Sequence, residues 1–172
     1  MQATASAEAE TCFATHDTWG IVDTGATKTV MGSSHVKEFL AGLPQNIRKC
    51  VRRSSSNVVF RFGNQGTLKA NHAMVVPVCG MWLKISVVEG STPFLISNTL
   101  LRALGAMIDT ANHQLVIPKH QTQIPLQLSP KGLYLIDMNK LFAISPVPGN
   151  AEVAAETYAQ DDHDSGQNES SS

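Results

Sequence analysis

Short apolar runs that stop at turn signals, a single stretch with helical period and the absence of any internal repeat predict an all-β domain. It is expected to close into a small barrel with one short helix near its C-terminal end. The chain has 172 residues, 42% of them apolar and 16% charged. That is one ordinary domain with enough apolar material for a core, and too little charge for a chain that stays unfolded.

The elements follow in order. WGIVDTG is an apolar run that ends at a turn. NVVFRF alternates in part and stops at GNQG, a hairpin tip, before TLKANHAMVVPV. VCGMWLKISVVEG reads as two strands joined through Cys79-Gly80, and PFLIS as a short strand. In TLLRALGA the period changes: Leu100, Leu101 and Leu104 share one side and Gly105 supplies a stop. AMIDTANHQLVIP is a further hairpin turning at Thr110–His113. QIPLQLSPKGLYLIDM is another, turning at Ser129–Gly132, with Ile124, Leu126, Leu128, Leu133 and Leu135 on its buried face.

Charge is segregated. From Ser145 onward there are six acids and no Lys or Arg, leaving 8 acids against 13 bases, about +5, in residues 1–144. The tail has few large apolar side chains to offset its conformational entropy and is expected to be disordered. The organisation expected is a flexible N-terminus over 1–10, a folded domain over 11–120, a hairpin extension over 121–144 and the acidic tail over 145–172. Cys12, Cys50 and Cys79 have no metal-ligand or disulfide spacing, which points to reduced thiols. The first residues, MQATASAEAETC, lack an apolar core segment, and no apolar run reaches membrane-spanning length. A cytoplasmic location without a membrane partner is therefore expected.

The chemistry is concentrated in Gly20-Ile21-Val22-Asp23-Thr24-Gly25-Ala26-Thr27. An ionisable Asp directly after Ile-Val is an expensive way to end a buried strand. Gly25 allows a turn that a side chain would obstruct, Ala26 lets neighbouring backbone approach, and Thr24 can hydrogen-bond across a narrow gap. The segment suits a carboxylate held rigidly at a strand–loop junction. The alternative is an Asx-turn in which Asp23 merely bonds its own backbone.

The run GIVDTGATKTVMG resembles the catalytic loop of retroviral-type aspartic proteases, the retropepsins. FRFGNQGTLK is similar to their flap hairpin, VVPVCGMWLKISVVEGSTPFLIS to the strands leading into the substrate loop, and TLLRALGAMID to their helix and following strand. The likeness runs from about Phe13 to Ile117. IPLQLSPKGLYLIDM is in turn similar to the junction after the protease in copia-type retrotransposon polyproteins. Two departures stand out. Retropepsins commonly carry Gly-Arg where this chain has Ser97-Asn98, and the Asp that often pairs with that Arg is here Thr27. Both partners are missing together, so no buried charge is stranded. The Ser97 hydroxyl is instead a candidate cap for the helix beginning near Thr99.

The resemblance implies an aspartic endopeptidase that cleaves its own polyprotein in the cytoplasm, within retrotransposon particles. Its chemistry needs two carboxylates about one proton apart, and this chain has one Asp-Thr-Gly, since Asp109-Thr110-Ala111 lacks the glycine. A two-fold homodimer that pairs Asp23 with its symmetry mate is the economical solution. Catalytic roles then fall to Asp23, Thr24 and Gly25. Substrate contacts fall to Ile21, Ala26, Val30, Phe94 and Leu95, with Gly63, Asn64, Gln65 and Gly66 at the flap tip. Ile21, Val30, Phe94 and Leu95 are equally plain core candidates.

No cofactor or metal is expected, because the histidines and cysteines offer no ligand spacing. Arg48, Lys49, Arg52 and Arg53 form a basic stretch, read as a solvated loop rather than a nucleic-acid site, and Lys28 is read as solvated surface. The rival reading from another class is a non-catalytic dimerisation or peptide-binding module of the same fold.

Overall fold

The computed structural model describes residues 18–61 and 66–144. The expected N-terminal segment 1–10, the tail 145–172, Cys12 and the flap-tip residues Gly63, Asn64 and Gln65 lie outside the described residues.

Twelve strands and four short α-helices make up the described chain. The strands are β1 Trp19–Asp23, β2 Val30–Gly32, β3 Arg52–Ser54, β4 Val59–Arg61, β5 Thr67–Val78, β6 Met81–Val88, β7 Leu95–Ser97, β8 Met107–Asp109, β9 Gln114–Ile117, β10 Thr122–Pro125, β11 Gln127–Leu128 and β12 Tyr134–Asp137. The helices are α1 Val36–Gly42, α2 Gln45–Arg48, α3 Asn98–Leu104 and α4 Met138–Phe142.

A nine-stranded sheet runs in the order β11-β12-β1-β7-β2-β6-β5-β3, with β4 also paired to β5. A three-stranded sheet, β10-β9-β8, completes the architecture. The expected closed barrel is not found. The path ends at β11 and β3, two and three residues long, which do not pair with each other. Short edge strands leave few open backbone groups, one way to limit edge-to-edge association without closure.

Most hairpins form where the turn chemistry puts them. β5 and β6 meet through Cys79 and Gly80, whose φ values of 49° and 76° are the paired left-handed conformations of a tight hairpin turn. Helix α3 ends at Gly105, left-handed at φ 62°, and buries Leu100, Leu101 and Leu104. The segment 121–144 departs from a simple hairpin. β10 pairs with β9 in the smaller sheet, and only β11 turns back onto β12. Ile124, Leu126 and Leu135 are buried, but Leu128 and Leu133 are 48% and 40% exposed because they flank the turn at the free edge. β12 then runs antiparallel beside β1, pairing Ile21 with Leu135.

The expectation of one helix is also corrected. Helices α1 and α2 fill 36–48, where Val36, Phe39, Leu40, Leu43 and Ile47 recur at helical spacing. Phe39 is fully buried. Its ring meets Phe94 edge-on at 5.3 Å and Phe142 at 6.2 Å, tying α1 to the β7 approach and to α4. Such pairs add ~0.5–1.5 kcal/mol each beyond area burial. Asp137 caps α4 by accepting from Asn139 N–H at 3.1 Å, and the Asn139 amide donates to the Gly42 carbonyl at 2.9 Å.

The basic stretch is solvent-exposed, as expected, but it is not a loop. Arg52 and Arg53 lie in β3, paired to Val75 and Met74. The Arg48 guanidinium donates to the carbonyls of Ala41 and Leu43 at 3.0 Å, at the end of α1, and Arg52 lies 4.4 Å over the Trp82 ring. These cations cover carbonyl and aromatic surface of their own fold.

Cys79 is buried, with its thiol donating to the Leu141 carbonyl at 3.5 Å, and burial pushes it up to about 11. Thiolate is the reactive form. Iodoacetamide at neutral pH should therefore alkylate half-exposed Cys50 long before Cys79, which reacts only after unfolding. Peptide mass mapping of a time course checks this, and early modification of Cys79 would contradict its burial. No helix among the described residues is long and apolar enough to cross a membrane.

Candidate active site

β1 is central, with β12 on one side and β7 in parallel on the other, so Gly20, Ile21 and Val22 are all buried. Gly20 is required here by close approach: a Cβ would sit 2.8 Å from Ile96 Cδ1. The strand delivers Asp23 to the sheet end, half-buried and in register with Ser97. The chain then turns, with Ala26 N–H donating to the Asp23 carbonyl at 3.1 Å and Gly25 N–H donating to Asp23 Oδ1 at 3.1 Å. The Asx-type bond is therefore present. Among the described residues no hydrogen bond reaches Oδ2 of Asp23, so one carboxylate oxygen is left for another partner.

Asp109 presents the contrast. Its Oδ1 accepts from Ala111 N–H at 3.0 Å and Asn112 N–H at 3.2 Å, and its Oδ2 from the Asn112 amide at 2.8 Å and the Gln114 amide at 3.2 Å. The Asn112 side chain above all, with the backbone and Gln114 bonds behind it, holds this carboxyl below its ordinary range. A lowered carboxylate supports the fold above its unfolded value, and that support fades as pH falls through the folded one. Asp109 is a hairpin-turn acceptor with no oxygen left over for chemistry.

Thr24 and Gly25 are exposed and Ala26 is half-buried. The steric reason for Gly25 is corrected by the geometry. A Cβ there would meet only Asp23 Oδ1, at an ordinary 3.5 Å, and its φ is not left-handed. The turn itself does not require glycine. Lys28, read as solvated, is only 8% exposed.

Beyond the turn, β2 carries Val30 into a small apolar cluster with Ala70 and Val88, flanked by Leu95, Phe60 and Leu68. Phe60 and Leu68 are paired across the arms of the flap-like hairpin β4–β5. Alternation turns them inward, while Val59, Arg61, Thr67 and Lys69 face solvent. The hairpin arms therefore pack on Val30 and Leu95. Phe60 and Leu68 belong with these residues, and the alternation in NVVFRF and TLK carries the signal for them. A register shift between Ala70 and His72 marks where β5 leaves the main sheet for the hairpin. Gly66 is left-handed at φ 78°. Of the other residues, Ile21 is buried between β12 and β7, and Phe94 points into the main core against Phe39. Asp23 and Ala26 thus form the turn that ends β1, Val30 and Leu95 pair across β2 and β7 under the hairpin arms, and Phe94 belongs to the interior.

Ser97 ends β7 and caps α3 as expected, its Oγ accepting from Leu100 N–H at 3.2 Å. No group of three or more metal-ligating side chains occurs among the described residues.

No protein-family model matches the chain, and no curated protein sequence matches it. Among solved structures it is similar to the retroviral protease-like domain of Ddi1 from Leishmania major. The identity is 18% and the TM-score 0.34, over 60% of this chain and 79% of that chain.

Proposed function

We propose that the chain is an aspartic endopeptidase, active as a two-fold homodimer. The observation that carries this reading is the Asp23 carboxylate. It stands half-buried at the end of a central strand, and the one bond it accepts among the described residues, from Gly25 N–H, engages Oδ1 alone. Asp109, in the chain's other Asp-Thr pair, has both oxygens engaged in its own turn.

One Asp per chain makes half of the chemistry. Across a two-fold axis, an ionised Asp23 takes a proton from water as its oxygen attacks the scissile carbonyl. The partner copy's carboxyl, protonated, hydrogen-bonds the carbonyl oxygen as it becomes an oxyanion. A proton then passes to the leaving nitrogen as the C–N bond breaks. The step therefore needs the two carboxyl groups in opposite protonation states. Gly25, unneeded by its own turn, leaves room for a second chain or substrate. Phe60, Leu68, Val30 and Leu95 favour large apolar residues near the cut, and the hairpin excludes water. The resemblance to retropepsins and to the copia-type junction supports a polyprotein as the substrate.

The test is specific activity against concentration on an apolar peptide substrate. Activity per chain should fall on dilution in step with loss of dimer mass. A monomer with full specific activity would overturn the assembly, and a dimer that cleaves no peptide at any pH would overturn the enzyme.

A further inference from the structure

We infer that Thr29 and Ser97 are positioning residues that set the height of the Asp23 loop through an uncharged hydroxyl lock. This rests on the endopeptidase reading for its catalytic consequence, but the lock itself stands on geometry.

Both side chains are buried. Thr29 Oγ1–H donates to Ser97 Oγ at 2.9 Å, and Ser97 N–H donates to Thr29 Oγ1 at 3.2 Å, so the two residues grip each other twice. The same Ser97 Oγ accepts from Leu100 N–H at 3.2 Å. Ser97 is also the register partner of Asp23 in the parallel β1–β7 pair. One residue therefore lies beside the carboxylate in the sheet and holds the far end of its loop.

The next two residues repeat the pattern. Asn98 N–H donates to the Ala26 carbonyl at 2.8 Å, and Thr99 Oγ1–H donates to the Thr27 carbonyl at 2.6 Å. On the other flank Ser86 N–H donates to the Thr29 carbonyl at 3.0 Å. The segment 26–29 is thus stitched to 97–99 at Ala26, Thr27 and Thr29. This chain has no Arg at 98 and no Asp at 27 with which to make an ion pair behind the loop. Buried hydroxyls perform that task without a charge to desolvate, and they hold at every pH at which the chain folds.

A shift of ~1 Å in a reacting group costs of order 100-fold in rate. Thr29→Val keeps the shape and removes the hydroxyl, whereas Thr29→Ser keeps the hydroxyl. The expected result is a 10- to 100-fold loss of kcat for Thr29→Val with KM within about twofold. Thr29→Ser should restore most of the rate. Dimer mass should be unchanged in both. Independently of catalysis, amide exchange at Ala26 neighbours and at Asn98 should accelerate at least about tenfold in Thr29→Val and not in Thr29→Ser, reflecting local opening. Should Thr29→Val not fold, Ser97→Ala is measured in the same way and carries the same expectation. A variant that is merely less heat-stable, with wild-type kcat and wild-type exchange at these amides, overturns the inference. A wild-type chain without peptidase activity overturns the proposed function instead, and the exchange measurement still decides the lock.

Discussion

Asp23→Asn should abolish peptide cleavage, by at least about 1000-fold, while leaving fold and dimer mass intact. Asn retains a side-chain oxygen to accept the Gly25 N–H that Asp23 Oδ1 accepts at 3.1 Å, so the turn survives. Under the proposed mechanism, what disappears is the base that takes the proton from water. If the chain is the proposed dimer, the variant dimer should dissociate no more readily than wild type, because Asn keeps the size and hydrogen-bonding capacity of Asp. Asp109→Asn is the matched control. It removes a charge from another Asp-Thr sequence, but one whose oxygens serve the β8–β9 turn. Its cleavage rate should stay within about twofold of wild type, because turns accept Asn readily. A fluorogenic peptide assay beside mass measurement reads both variants. Wild-type cleavage by Asp23→Asn, or its loss in Asp109→Asn alone, would remove Asp23 from the chemistry.

Gly32→Ala should be severely destabilising, costing about 3 kcal/mol and lowering Tm by ~10 °C. A Cβ on Gly32 would lie 2.5 Å from the Gly90 oxygen and the Thr92 nitrogen and 2.8 Å from the Thr92 oxygen. All three are backbone atoms and have no rotamer to escape into. They are also held in place: Gly32 N–H donates to the Thr92 carbonyl at 2.8 Å and Ser34 N–H to the Gly90 carbonyl at 3.0 Å. Gly25→Ala adds the same methyl where only Asp23 Oδ1 lies within reach, at 3.5 Å. Its Tm should stay within about 2 °C of wild type, a change of the size expected for surface substitutions. Thermal unfolding of the pair distinguishes a glycine demanded by the fold from one left over for function. Equal Tm values for the two variants would contradict the close approach at Gly32.

Several features of this chain were legible because they are local. The strand ending at Asp23, the turn at Cys79-Gly80, the helix stopped by Gly105 and the hairpin at Ser129–Gly132 each depend on residues within a few positions. The capping role of Ser97 belongs with them. Helices α1 and α2 are legible too, in the spacing of Val36, Phe39, Leu40, Leu43 and Ile47.

The amino-acid sequence by itself determined several of the strands and turns, among them β1, the β5–β6 hairpin and the stop at Gly105, and that a lone Asp-Thr-Gly ends an apolar strand. Periodicity and turn chemistry are properties of neighbours along the chain. Only the tertiary structure decided that β12 flanks β1, that Asp23 stands in register with Ser97, that Thr29 locks to Ser97 across 68 positions, and that Phe94 faces the core while Phe60 and Leu68 face Val30 and Leu95. Sheet order and strand register are set by long-range burial and backbone pairing, which no window of neighbouring residues contains. The open sheet has the same origin. Whether two edges close into a barrel depends on their tilt and stagger, and here the short strands β11 and β3 end the path before their edges meet.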